Sequence, residues 1–129
     1  MSDPGGSIRR VGANRSEEGP TMQYALLIAG DHEPTPDELA LGCGGWSEEM
    51  AGRGVVRGGA GLRPPTEATT VRVRDGEVLL TDGPFADTKE QIGGLVLIEC
   101  ADLDEAVEIA SRHPAAGYGM IEIRPLFAP

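Results

Sequence analysis

Two short segments, Gln23 to Ala29 (QYALLIA) and Gly94 to Cys100 (GLVLIEC), are apolar at both odd and even positions. Side chains along a strand alternate between its two faces, so a segment that is apolar in both registers needs cover on both and belongs at the centre of a sheet. Every other element then has to flank these two strands or cover them. At 129 residues and 40% hydrophobic content, the chain holds one domain with a real core and has little room for a second.

A helix signal follows the first segment. Thr35 and Glu38 have capping-box spacing, Pro36 occupies the first helical position, and Leu39, Cys43, Trp46 and Met50 recur at helical spacing up to Arg53. Gly42, Gly44 and Gly45 fall inside it, each costing about 1 kcal/mol relative to Ala, so the helix is expected to fray or break there. Gly54 ends it, and Val55 to Gly59 read as a short strand. Thr69 to Arg74 (TTVRVR) alternates strictly, Asp75-Gly76 is a two-residue turn signal, and Glu77 to Thr81 (EVLLT) returns antiparallel, which predicts a hairpin near a sheet edge. Asp102 is placed to cap a second helix with Glu105 three residues on. Leu103, Ala106, Val107, Ile109 and Ala110 give that helix an apolar face, and His113-Pro114 stops it. Gly119 to Pro125 closes the chain as an edge strand, with Ile121 and Ile123 on one face and Met120, Glu122 and Arg124 on the other.

This order predicts an α+β fold, a ferredoxin-like sandwich with an inserted β-hairpin and the first and third principal strands in the centre. Two helices cover only one face of such a sheet. The other would expose about half the apolar side chains of the central strands, an unusual load for a monomer, so we expect a homodimer through the open sheet face.

Residues 1–21 are rich in Gly, Ser, Pro and charge, with Ile8 and Val11 as the only large aliphatic residues. Such a stretch buries too little to offset its ordering entropy, and we expect a disordered tail before a domain spanning 22–129. Periodic sequence begins at Met22, a candidate start of translation. The chain has no apolar run with the form of a signal peptide or a membrane span, so the expectation is a cytoplasmic protein without a membrane partner. The tail's three bases balance its three acids, which places the net charge of −10 entirely on residues 22–129. That charge opposes direct binding to nucleic acid or anionic membranes. Cys43 and Cys100 lie in apolar segments without CxxC spacing and read as reduced core thiols.

Several segments together resemble the DGPF branch of the YCII-related family: Tyr24 to Ile28, Thr70-Val71-Arg72, Thr81-Asp82-Gly83-Pro84-Phe85, Thr88-Lys89-Glu90, Gly93-Gly94 and Glu122 to Pro125. They occur in order from about Met22 to Leu126, and the DGPF-x-x-TKE-x-x-GG string is far more specific than its pieces. The resemblance implies a ferredoxin-like dimeric α/β barrel. It also implies a relation to dehalogenases and isomerases that process muconolactones, an enzymatic role carried by a His and an Asp, and, for the DGPF branch, an association with sigma-factor-like regions. The family's His lies in the first helix. This chain has none there, and Cys43 stands near the expected place.

Among the site candidates, Asp82 ends a strand before a Gly-Pro turn and would serve as a general base or substrate-orienting acceptor, or else cap its own turn. Gly83 and Pro84 shape that turn, and Phe85 either plugs the core or lines a pocket. His113, at the end of the second helix where the dipole favours its charged form, is either the acid-base partner of Asp82 or a helix cap. Lys89 and Glu90 after the turn either anchor a small anionic ligand or pair with surface neighbours, Arg124 is a second candidate anion contact, and Arg72 and Arg74 share a strand face that is as well suited to solvent. His32, between Asp31 and Glu33, lacks a ligand set, so no metal is expected. The run Arg57 to Leu62 (RGGAGL) leads into Pro64-Pro65 rather than a helix and fails as a phosphate loop. Two functions fit these residues. One is a cofactor-independent enzyme acting on a small carbonyl or lactone acid, and the other is a non-catalytic ligand-sensing or interaction module with a sigma-factor partner.

Overall fold

A computed structural model of the chain describes residues 21–30, 35, 44–84 and 91–127. Strand β1 spans Met22–Gly30, helix α1 Trp46–Arg53, β2 Val56–Gly61, β3 Thr69–Arg74, β4 Glu77–Asp82, β5 Gln91–Cys100, helix α2 Leu103–Ser111, the short helix α3 Ala115–Tyr118, and β6 Met120–Pro125. A single 3₁₀ turn, Pro65–Glu67, joins β2 to β3.

The principal sheet is antiparallel in the order β2-β5-β1-β6. The two segments apolar in both registers are its two central strands, and the closing strand is an edge. Tyr24 and Leu26 of β1, Ile98 and Cys100 of β5, Trp46 and Met50 of α1, and Ala106, Ile109 and Ala110 of α2 form one buried cluster with Val55. Ile121 and Ile123 of β6 pack against it. Helices α1 and α2 therefore lie on one face of the sheet, and strand alternation sends Ala25, Leu27, Leu95, Leu97 and Arg124 to the other.

The glycine run of β2 has a packing reason. A Cβ on Gly59 would stand 2.6 Å from the Leu95 carbonyl oxygen, so a side chain there would push β2 away from β5. The strand expected over Val55 to Gly59 is present as Val56–Gly61, so it extends two residues beyond the expected end.

Two expectations are met, the break at the first helix's glycines and the stop before Pro114, and two are corrected, the start of β5 and the place of the hairpin. The expected first helix is described only from Trp46, after a turn at Gly44 and Gly45, where the glycine penalty falls; residues 36–43 lie outside the described residues. Strand β5 begins at Gln91, three residues before the apolar run, because Leu62 and Gly93 continue the β2–β5 ladder with a 2.9 Å bond. The hairpin joins no edge of the principal sheet, since β3 and β4 form a two-stranded sheet of their own. Pro114 stops α2 but also starts α3, because a missing N–H costs nothing in a first turn. Cys100 is a buried free thiol, as expected, pushed up to about 11 by burial; Cys43 lies outside the described residues.

Candidate functional site

The β3–β4 hairpin positions Asp82. Asp75 and Gly76 both take positive φ, 52° and 79°, which is the type I′ turn that matches strand twist, and its register pairs Thr69 with Asp82. Asp82 is exposed at the end of β4. The backbone beyond it is held by other groups: the Gly83 amide donates to the Ala68 carbonyl at 2.7 Å, and the Thr70 hydroxyl donates to the Gly83 carbonyl at 2.8 Å. The Gly83 amide, the nearest donor an Asp82 turn cap would use, is thus already taken. Gly83 sits at φ 103°, a conformation that a side chain at this position would strain. Phe85, Lys89 and Glu90, the rest of the motif, lie outside the described residues.

His113 belongs to a different environment. It is 6% exposed, and its ring stands edge-on to Trp46 at 5.0 Å between centroids. Its Nδ1 accepts the Ala115 amide at 3.0 Å, which makes the ring the cap of the α2–α3 corner and requires Nδ1 to be unprotonated. Burial pushes the His113 pKa down from the ordinary imidazole value. The Trp46 indole donates to the Ile109 carbonyl at 2.8 Å, closing the same corner. Asp82 and His113 are therefore carried by separate layers, the carboxylate on the exposed hairpin and the imidazole inside the helical layer.

Arg124 lies on the face of the sheet opposite the helices, beside Ala25 in register, with its guanidinium 2.9 Å from Glu122 of the same strand. At the other end of this face Arg57 donates to Glu99 at 3.2 Å and to the Gly54 carbonyl at 2.8 Å. Glu99 also accepts from the Thr21 hydroxyl, and these bonds, that of Thr21 foremost, hold its carboxyl below the usual range. Sequence reasoning passed over the Arg57–Glu99 pair. The available signal was the lone charge of Glu99 in an otherwise apolar central strand. Between the two ion pairs lie Leu27, Leu95 and Leu97, all partly exposed.

A third charged group is structural. Arg53 pairs with Glu108 at 2.8 Å and Glu105 at 3.3 Å, joining α1 to α2. Among the described residues no group of three or more His, Cys, Asp and Glu could hold a metal ion, and no helix is long and apolar enough to cross a membrane.

The model of the YCII-related domain matches residues 22–128. An uncharacterized protein of Rhizobium meliloti (strain 1021) is 48% identical over 71 residues, covering 52% of this chain and 56% of that protein. The chain thus spans about half the length of the curated relative it matches.

Proposed function

The chain belongs to the YCII-related family, and on that premise we propose that it works as a homodimeric ligand-sensing or interaction module rather than as an Asp-His acid-base enzyme. The observation that carries this reading is the position of His113. Its Nδ1 lone pair is committed to the Ala115 amide in a buried site, so it has no proton to exchange there without breaking the α2–α3 corner.

The dimer forms through the sheet face opposite the helices, where Leu27, Leu95 and Leu97 lie between the Arg57–Glu99 and Glu122–Arg124 pairs. A small anionic ligand at Arg124 competes with Glu122 for the guanidinium, which favours modest affinity. A sigma-factor-linked setting fits a module of this kind, with protein contacts taking the place of chemistry.

A second reading rests on Asp82. Its exposed carboxylate, on a turn whose Gly83 amide is bonded elsewhere, suits a base or orienting acceptor acting without His113 on a small carbonyl or lactone acid. One experiment separates the two. Carbonyl and lactone acids are screened by thermal shift, and each hit is followed by chromatography for conversion. The interaction reading expects hits, if any, to be recovered unchanged by wild type and by His113→Asn alike. Turnover by wild type that is lost in Asp82→Asn at an unchanged melting temperature overturns it in favour of the enzyme.

A further inference from the structure

Two sulfur side chains meet at one end of the central sheet. Register puts Met22 of β1 opposite Cys100 of β5, on the face that carries the helices. Cys100 is buried, its thiol donates to the Asp102 carbonyl at 3.5 Å, and burial pushes it up to about 11, so it is closed to oxidants that need a thiolate. Met22 is 47% exposed and open to them. Tyr24, two residues on along the same strand and face, is 2% exposed, and its hydroxyl donates to the Met22 Sδ at 3.8 Å. A thioether is a weak acceptor, and among the described residues it is the one acceptor this buried phenol has. A buried hydroxyl held so weakly forgoes free energy that a stronger acceptor would return. Burial foremost, then Cys100 and Asp102, raise the Tyr24 pKa, which keeps the group a donor.

We propose that Met22 is a site of oxidation by hydrogen peroxide and that Tyr24 is the donor that holds the sulfoxide it becomes. A sulfur lone pair attacks one peroxide oxygen, and the S–O bond forms as the O–O bond breaks. The other oxygen leaves as hydroxide and takes the proton of the transferred oxygen, giving water; the sulfur loses two electrons and the peroxide gains them. Rotation about the Cγ–Sδ bond then sets the new oxygen against the Tyr24 hydroxyl, and a strong acceptor replaces a weak one. Methionine oxidation ordinarily disrupts packing by putting a polar group among apolar ones. Here it supplies the acceptor that a buried phenol lacks, so the oxidised chain holds the start of β1 more firmly than the reduced one. Met22 lies on the helix side of the sheet, so the proposal stands apart from the dimer through the opposite face.

The full chain is treated with dilute hydrogen peroxide, oxidation at each methionine is read by peptide mass, and melting is followed by Trp46 fluorescence. Met120 is the control for exposure: it is 44% exposed and has no hydroxyl donor among the described residues. Met22 and Met120 should oxidise together while the buried Met50 is spared. In a Met120→Leu background, oxidation should raise the melting temperature by roughly 2–6 °C, the worth of one improved hydrogen bond. Tyr24→Phe and Met22→Leu, each in that background, should show no rise. A Met22 as slow to oxidise as Met50, a melting temperature that falls or stays put, or a rise that survives either substitution overturns the proposal. A reading without substitution at Tyr24 covers the case in which Tyr24→Phe does not fold. With 3-fluorotyrosine incorporated, the fluorine resonance of Tyr24 should shift on oxidation and that of Tyr118 should not; an unmoved Tyr24 resonance overturns its role as donor.

Discussion

His113 shows what burial does to a residue whose sequence context points to the surface. At the end of a helix before proline, the dipole favours the imidazolium, yet the ring is packed against Trp46 and accepts a backbone amide, so the neutral form is the one the fold holds. A folded-state pKa lowered from the ordinary value near 6.5 means that the unfolded chain binds the extra proton first. The contribution of the neutral ring is therefore complete above about pH 6.5 and is lost as pH falls through the lowered folded value. The melting temperature of wild type should drop more steeply on acidification than that of His113→Asn, whose amide oxygen still accepts but does not titrate. Trp46, the only tryptophan, reports the transition by fluorescence. Parallel pH profiles for the two proteins would refute the assignment.

At the scale of elements, α2 was the most legible part of the chain. The Asp102 carboxylate accepts the Glu105 amide at 2.9 Å, so the cap read from sequence is made, while the Glu105 carboxylate accepts the Ala101 amide at 2.7 Å, one residue before the N-cap amide that a capping box would use. Asp102→Ala should cost about 1 kcal/mol in chemical denaturation and Asp102→Asn only a fraction of that; equal losses in the two would mean that charge rather than capping dominates. The hairpin was legible for an equally local reason, since Asp-Gly supplies both positive-φ positions of its turn. Helix α1 was less so. Its spacing pattern runs through residues 36–43, which lie outside the described residues, and the break expected at the glycines is met where Gly44 and Gly45 form the turn immediately before Trp46.

On the scale of the whole molecule, the helical layer is tied together by charge as well as by its apolar cluster. Glu105 is 6% exposed and relies on Arg53, which also pairs with Glu108, while Arg112 reaches Glu49 at 2.7 Å from the other side. Removing the guanidinium leaves a buried carboxylate without its cation, so Arg53→Ala should destabilise by about 1–3 kcal/mol, the partial exposure of Arg53 keeping it below the loss at a fully buried pair. Adding Glu105→Gln should recover part of that loss by removing the stranded charge. A double variant no more stable than Arg53→Ala would show that the cost lies in the arginine's packing instead. By itself the sequence determined the central strands, the closing edge strand, the hairpin turn and the α2 cap, because alternation, turn φ values and capping act over a few neighbouring residues. Only the tertiary structure decided that the hairpin stands as a sheet of its own, that Arg57 meets Glu99 across two strands, and that His113 is buried edge-on to Trp46 as the cap of the α2–α3 corner. Those outcomes depend on which distant residues pack together, and local periodicity carries no record of that.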